Sequence, residues 1–166
     1  MQTTTDTNMD YKELIAKRHS VRSFTEEAVP RDVLDSLVDD ALLAPSSKNT
    51  RSSGFMIVED KSTLEAMSSM RTRGSAFLSG AAAAIVVLGD TSKTDLWVEN
   101  ASISATYLMM SAVDRGLGSC WIHVNGRLRD QKDPDSGKAS DFLRDLLGIR
   151  DGMEPLCIIA LGYEKI

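Results

Sequence analysis

Residues 94–115 repeat apolar side chains at helical spacing, and Gly116 follows them as a stop. Ala101, Ile103, Ala105, Leu108, Met109, Ala112 and Val113 leave the second half of this helix little polar surface. Such a helix belongs in a core or at an interface, so the chain must fold around it. Strand-like runs surround it, at residues 55–58, 84–88, 120–124 and 156–161. Helical patterns separate these runs, and no segment repeats another. The expected fold is therefore α+β (mixed α/β), a central mixed sheet covered by helices.

Local signals place the other helices. Asp10 with Glu13 forms a capping box ahead of Leu14 and Ile15. Pro30 opens a second helix carrying Val33, Leu34, Leu37, Val38, Ala41 and Leu42, which Pro45 stops. Ser62 with Glu65 is expected to cap a third, with Leu64, Met67 and Met70 on its inner face. Residues 75–80 form another short helix, and Gly148 closes one over residues 141–147. Residues 45–54 and 125–138 are polar loops. Residues 1–9 lack periodicity and are expected to be a loose tail, leaving residues 10–166 as one domain.

The net charge of −5, with both signs mixed, argues against nucleic acid or an anionic membrane as partner. The polar first ten residues lack the basic start and apolar core of a signal peptide, and the apolar run at 81–88 is too short to span a bilayer. Cys120 and Cys157 lie in separate apolar segments without metal-ligand spacing, which fits a reducing cytoplasm and no metal.

The chemistry-bearing stretch is Arg18-His19-Ser20-Val21-Arg22-Ser23-Phe24. If it is extended, Arg18, Ser20 and Arg22 share a face at a spacing of about 7 Å. Two readings follow: solvated surface charges, or a ruler for a long anion with phosphate at one end and an electron-accepting ring at the other. Gly116-x-Gly118 follows a helix and precedes a strand, the reverse of the dinucleotide-binding order, and no third glycine follows in register. No Ser-His-Asp, HExxH or P-loop pattern supplies other chemistry. Trp121 and His123 lie in the strand after this turn, where facings alternate, so one of the two is expected to look toward a ligand; a structural role for His123 is the other reading.

Taken with Ala44-Pro45-Ser46-Ser47-Lys48-Asn49, Gly116-Leu117-Gly118-Ser119-Cys120-Trp121-Ile122 and Leu156-Cys157-Ile158-Ile159-Ala160-Leu161-Gly162-Tyr163, the stretch resembles the nitroreductase family of FMN-dependent oxidoreductases. The resemblance runs from residue 11 to residue 163. It implies a homodimer of the nitroreductase-like FMN fold. Arg18, His19 and Ser20 would grip the flavin phosphate and ribityl chain, and Arg22 the pyrimidine edge, where a guanidinium stabilises the charge that reduction brings. His19 has a second reading, packing against aromatic neighbours.

Pro45, Ser46, Ser47 and Asn49 would come from the second subunit and lie over the dimethylbenzene and ribityl side. Leu117, Gly118 and Ser119 would run beside flavin N5 and O4, glycine allowing backbone N–H groups to approach. Many relatives continue the Pro45 loop with Gln-Pro-Trp, whereas Arg51-Ser52-Ser53 stands here. Arg51 is thus a candidate to steer an anionic substrate or a nicotinamide cofactor's phosphate. Relatives also carry a cationic tail after the last strand; Lys165 is the expected substitute here, with Arg127 as the alternative donor.

The implied activity is ping-pong transfer of hydride from NADH or NADPH through flavin N5 to a small-molecule acceptor such as a nitroaromatic or quinone. No side chain is expected to be catalytic. A non-catalytic flavin-binding or storage protein, and a structural domain without flavin, are the rival readings.

Overall fold

In the computed structural model, which describes residues 9–166, neighbouring residues of one strand feed two different cores. The sheet has four strands, β1 (Ser53–Val58), β2 (Ala83–Asp90), β3 (Gly118–His123) and β4 (Met153–Gly162), in the order β1-β2-β4-β3. Every neighbouring pair is antiparallel. Among the described residues, the one parallel element is a bridge between Ser20 and Ser119 at the β3 edge. The expected loose tail falls, up to residue 8, outside the described residues.

Side chains alternate across a strand. Ala84, Val86, Ile158 and Ala160 therefore pack with Leu64, Met67, Leu78 and Leu143 on one side. Ile85, Val87, Ile159 and Leu161 pack with Leu34, Leu37, Ala101, Ala105 and Leu108 on the other. Covered on both faces, β2 and β4 are continuous apolar runs. The register slips between Val87 and Leu88, where Val87 pairs with Cys157 and Leu88 with Pro155. Leu156 is the extra residue, and its carbonyl accepts instead from the backbone N–H of Val124 and of Asn125, each at 3.0 Å.

The helices are α1 (Tyr11–Lys17), α2 (Arg31–Leu42), α3 (Lys61–Ser68), α4 (Trp97–Asp114) and α5 (Ala139–Leu147). The capping box at α1 forms as expected. The α3 cap is different: Asp60, not Ser62, accepts from the Thr63 N–H at 2.9 Å. A carboxylate one residue before the helix outcompetes a hydroxyl inside it, and the bonds from Ser62 and then Thr63 hold the Asp60 carboxyl below the usual range.

Helix α4 ends in a full Schellman motif: Gly116, at φ 75, donates to Val113 at 3.0 Å, and Leu117 donates to Ala112 at 2.8 Å. Its burial is partly inverted. Asn100, Ser104 and Ser111 are buried, while Ile103 and Tyr107, one turn apart, are 39% and 42% exposed. None of the described helices is long and apolar enough to cross a membrane.

Candidate functional site

Val21 and Phe24 are buried while Ser20 and Arg22 are exposed, so the Arg18–Phe24 stretch does split by facing. Its path is fixed by two close packings on glycine. A Cβ on Gly118 would stand 2.9 Å from three carbons of Val21, and one on Gly162 would stand 2.8 Å from Phe24. Backbone bonds complete the attachment: Val21 donates to Ser119 at 2.9 Å, Thr25 donates to Tyr163 at 2.8 Å, and Lys165 donates to Ser23 at 3.0 Å. The stretch thus lies along the ends of both β3 and β4.

The Ser20–Ser119 bridge brings the stretch alongside Cys120, whose thiol feels the charge of Arg18 and Arg22. Burial pushes the Cys120 thiol up, while Arg22, the Ser20 hydroxyl and Arg18 each pull it down. Beside them the Ser119 hydroxyl, on a residue 2% exposed, has no hydrogen-bond partner in the protein. Two cations, an exposed hydroxyl and a buried orphaned hydroxyl form a donor set for a phosphorylated ligand, which an FMN phosphate and ribityl chain would satisfy.

His19 turns another way. Nε2 lies 3.0 Å from the Glu164 carboxylate and Nδ1 lies 2.9 Å from the Lys17 carbonyl. Both partners only accept, so each favours a proton on the ring nitrogen that faces it. The bond to Glu164, then that to Lys17, raises its pKa above the ordinary value. His19 is a clip between the site stretch and the end of the chain.

The glycine turn also differs in detail from the sequence reading. The space beside Gly118 is filled by Val21, so packing by itself requires glycine there. Leu117 is buried in the core and its N–H is bonded to Ala112. The Ser119 side-chain hydroxyl is buried without a hydrogen-bond partner.

Trp121 and His123 do not face opposite ways. Residues two apart in a strand share a side, and these rings stack 6.1 Å apart. The Trp121 Nε1–H donates to His123 Nδ1 at 3.2 Å, which fixes His123 as the neutral Nε2–H tautomer. Burial, then Arg127 and, after the Asn125 backbone, Arg71 bear on its pKa, which is lowered. Arg71 was not foreseen. Its Nε is buried without a partner, a fact that no residue spacing reveals.

The Pro45 loop leads into β1, at the opposite edge of the sheet from β3. After α2 ends, Pro45 is exposed, and a 3₁₀ turn spans Ser47–Asn49. Ser46 Oγ accepts from the Arg51 N–H at 3.0 Å, and the Ser47 N–H donates to Asn100 Oδ1 at 2.9 Å. Asn49 is exposed at φ 54. Within one chain these residues are thus separate from the Arg18 stretch. Lys165 sits opposite Ser23, next to Arg22, whereas Arg127 belongs with His123.

Comparison with known proteins identifies the family. The Nitroreductase family model matches residues 15–72 and 64–163. The structure of an FMN-dependent nitroreductase from Clostridium difficile R20291 is 40% identical, with a TM-score of 0.86, covering 92% of this chain and 87% of that one. A protein of Archaeoglobus fulgidus provisionally named NADH dehydrogenase/NAD(P)H nitroreductase is 31% identical over 156 residues, 92% of this chain and 84% of that one. One of the same provisional name from Methanothermobacter thermautotrophicus is 30% identical over 158 residues, 93% of this chain and 78% of that one. The matched segments contain the Arg18 stretch, the Pro45 loop and the β3 edge, and the chain belongs to the nitroreductase family.

Proposed function

We propose that the protein is an FMN-dependent oxidoreductase that passes hydride from NADH or NADPH to a small oxidised acceptor such as a nitroaromatic or quinone. One observation carries this: the stretch carrying Arg18, Ser20 and Arg22 is bridged to the β3 edge at Ser20–Ser119, where the Ser119 hydroxyl is buried and unpartnered. The chemistry that bound FMN supplies is hydride acceptance and donation at N5, in two half-reactions that share one site. Arg18 and Ser20 would hold its phosphate and ribityl end, with Lys165 as a further cation. Arg22 would offset the negative charge gained at the pyrimidine edge. Catalysis then needs no titrating side chain.

The functional unit is a homodimer. Tyr11 and Ile15 of α1, Ile103 and Tyr107 of α4, and Leu42 and Leu43 at the end of α2 are exposed apolar residues that a second copy would cover. That pairing brings the Pro45, Ser46, Ser47 and Asn49 loop to the partner's site. Two buried free thiols, Cys120 and Cys157, suit a reducing cytoplasm.

The test is spectroscopic. The purified protein should show the visible flavin band and lose it when NADH or NADPH is added without oxygen, the colour returning with a quinone. A band that persists with either donor would mark a flavin-storage protein, and absence of a band from protein freed of unbound flavin after incubation with FMN would remove the cofactor altogether. Light scattering should give a dimer for the flavin-loaded form.

A further inference from the structure

The loop between α2 and β1 holds three non-glycine residues in the left-handed region, Lys48 at φ 49, Asn49 at φ 54 and Arg51 at φ 48. Glycine adopts this conformation without the Cβ clash, so a side chain kept there must be explained. At Arg51 the backbone is pinned on both sides: its N–H donates to Ser46 Oγ at 3.0 Å, and its carbonyl accepts from Lys93 Nζ at 3.4 Å. The guanidinium is left exposed, outside the ion pairs of the described residues.

A single buried amide organises the loop. Asn100, 2% exposed on α4, accepts from the Ser47 N–H through Oδ1 at 2.9 Å. Its two Nδ2 hydrogens are shared among Ser52 Oγ at 2.9 Å, Ser47 Oγ at 3.0 Å and Thr50 Oγ1 at 3.3 Å. Against this loop lies a crevice lined by Leu42, Ser46, Arg51, Ser53 and Ser104 among others. Its volume of about 20 Å³ admits one water-sized group and no ring. Ala41, Leu42 and Ala44 form its apolar wall; its polar groups are the Ser46, Ser53 and Ser104 hydroxyls and the Arg51 guanidinium, with no carboxylate, so the charge beside it favours an anion.

We propose that Arg51 reads a terminal anionic group on the small molecule that reacts at the flavin, with Asn100 as the positioning residue that holds the strained loop. This rests on the function proposed above, in which the loop lies over the partner's flavin. The anion has two sources with shared chemistry: the 2′-phosphate that distinguishes NADPH from NADH, or an acidic group on the acceptor.

The experiment uses the flavin-loaded dimer and its R51A, R51G, R51K and N100A variants. Values of kcat/KM are compared within two pairs, NADPH against NADH with a neutral quinone, and 4-nitrobenzoate against 4-nitrobenzyl alcohol with NADH. R51A and R51G should both reduce the preference for the charged member of a pair about ten- to a hundredfold, through KM, with R51K retaining most of it. Glycine tolerates φ 48, so a loss common to R51A and R51G belongs to the side chain and not to the loop's conformation. N100A should move the same ratio in the same direction, which general destabilisation would not do. A change in the dinucleotide pair assigns the donor's phosphate, and a change in the nitroaromatic pair assigns the acceptor. Unchanged ratios in both R51A and R51G overturn the proposal. A wild-type protein that takes up no FMN and oxidises neither donor overturns the functional reading, and this inference with it.

Discussion

Val21 occupies the space that a side chain on Gly118 would need, with its Cβ and both γ-methyls 2.9 Å from where that Cβ would sit. This contact seats the cationic stretch on β3, because Ser20 and Arg22 flank Val21 and take the opposite facing. Gly118→Ala should therefore destabilise the fold by about 1–3 kcal/mol, the usual cost of overpacking, and should weaken FMN binding by displacing Ser20 and Arg22. Val21→Ala in the same chain makes room, so the double variant should lose less than the sum of the two single changes. Urea unfolding of the four proteins measures this coupling, and strict additivity would mean that the two residues do not compete for one space.

The two histidines should respond to pH in opposite directions. His19 holds its proton more tightly when folded, because of Glu164 first. Its stabilising contribution is full below the ordinary histidine value of about 6.5 and fades as pH rises through its raised value. His123, lowered chiefly by burial, contributes fully above about 6.5 and loses that contribution as pH falls through its lowered value. Titrating the ring protons by NMR should give two midpoints on opposite sides of the ordinary value. Glu164→Gln should bring the His19 midpoint back toward it and leave that of His123 in place.

Much of this was legible from residue order because the cores are built from local periodicities. The continuous apolar runs of β2 and β4 and the Gly116 stop of α4 need only strand and helix geometry. Contacts between segments distant in sequence were not legible. That Gly118 serves Val21, that Glu164 captures His19, and that Asn100 reaches back to Ser47 and Ser52 all depend on how sheet and helices stack. The expectation for Trp121 and His123 failed for a simpler reason: alternation puts neighbours on opposite faces but residues two apart on the same one.

The choice between Lys165 and Arg127 as the additional phosphate cation is now weighted by geometry. Lys165 is bonded through its backbone to Ser23, beside Arg22, while Arg127 acts on His123. Lys165→Ala should weaken FMN binding by about 1–3 kcal/mol, roughly five- to a hundredfold, with a smaller effect at high salt. Arg18→Ala should cost at least as much, since it removes a charge-assisted contact. Arg127→Ala should leave the dissociation constant nearly unchanged. If Arg127 is the variant that loses FMN, the phosphate end lies toward His123 and the orientation proposed here is reversed.

Ser119 gives a test in which stability and binding move in opposite directions. Its hydroxyl is buried without a partner, and an unsatisfied polar group costs about 1–3 kcal/mol against an apolar group of the same shape. Ser119→Ala removes that cost in the cofactor-free protein, so apo stability should rise or hold. The same change removes a donor from the ligand face, so FMN affinity should fall by about three- to tenfold, the worth of one hydrogen bond. Thermal unfolding with and without FMN reads both quantities on one sample, because the ligand's stabilisation follows its dissociation constant. A variant less stable in both states would place the Ser119 hydroxyl in the fold's own bonding and remove it from the flavin site.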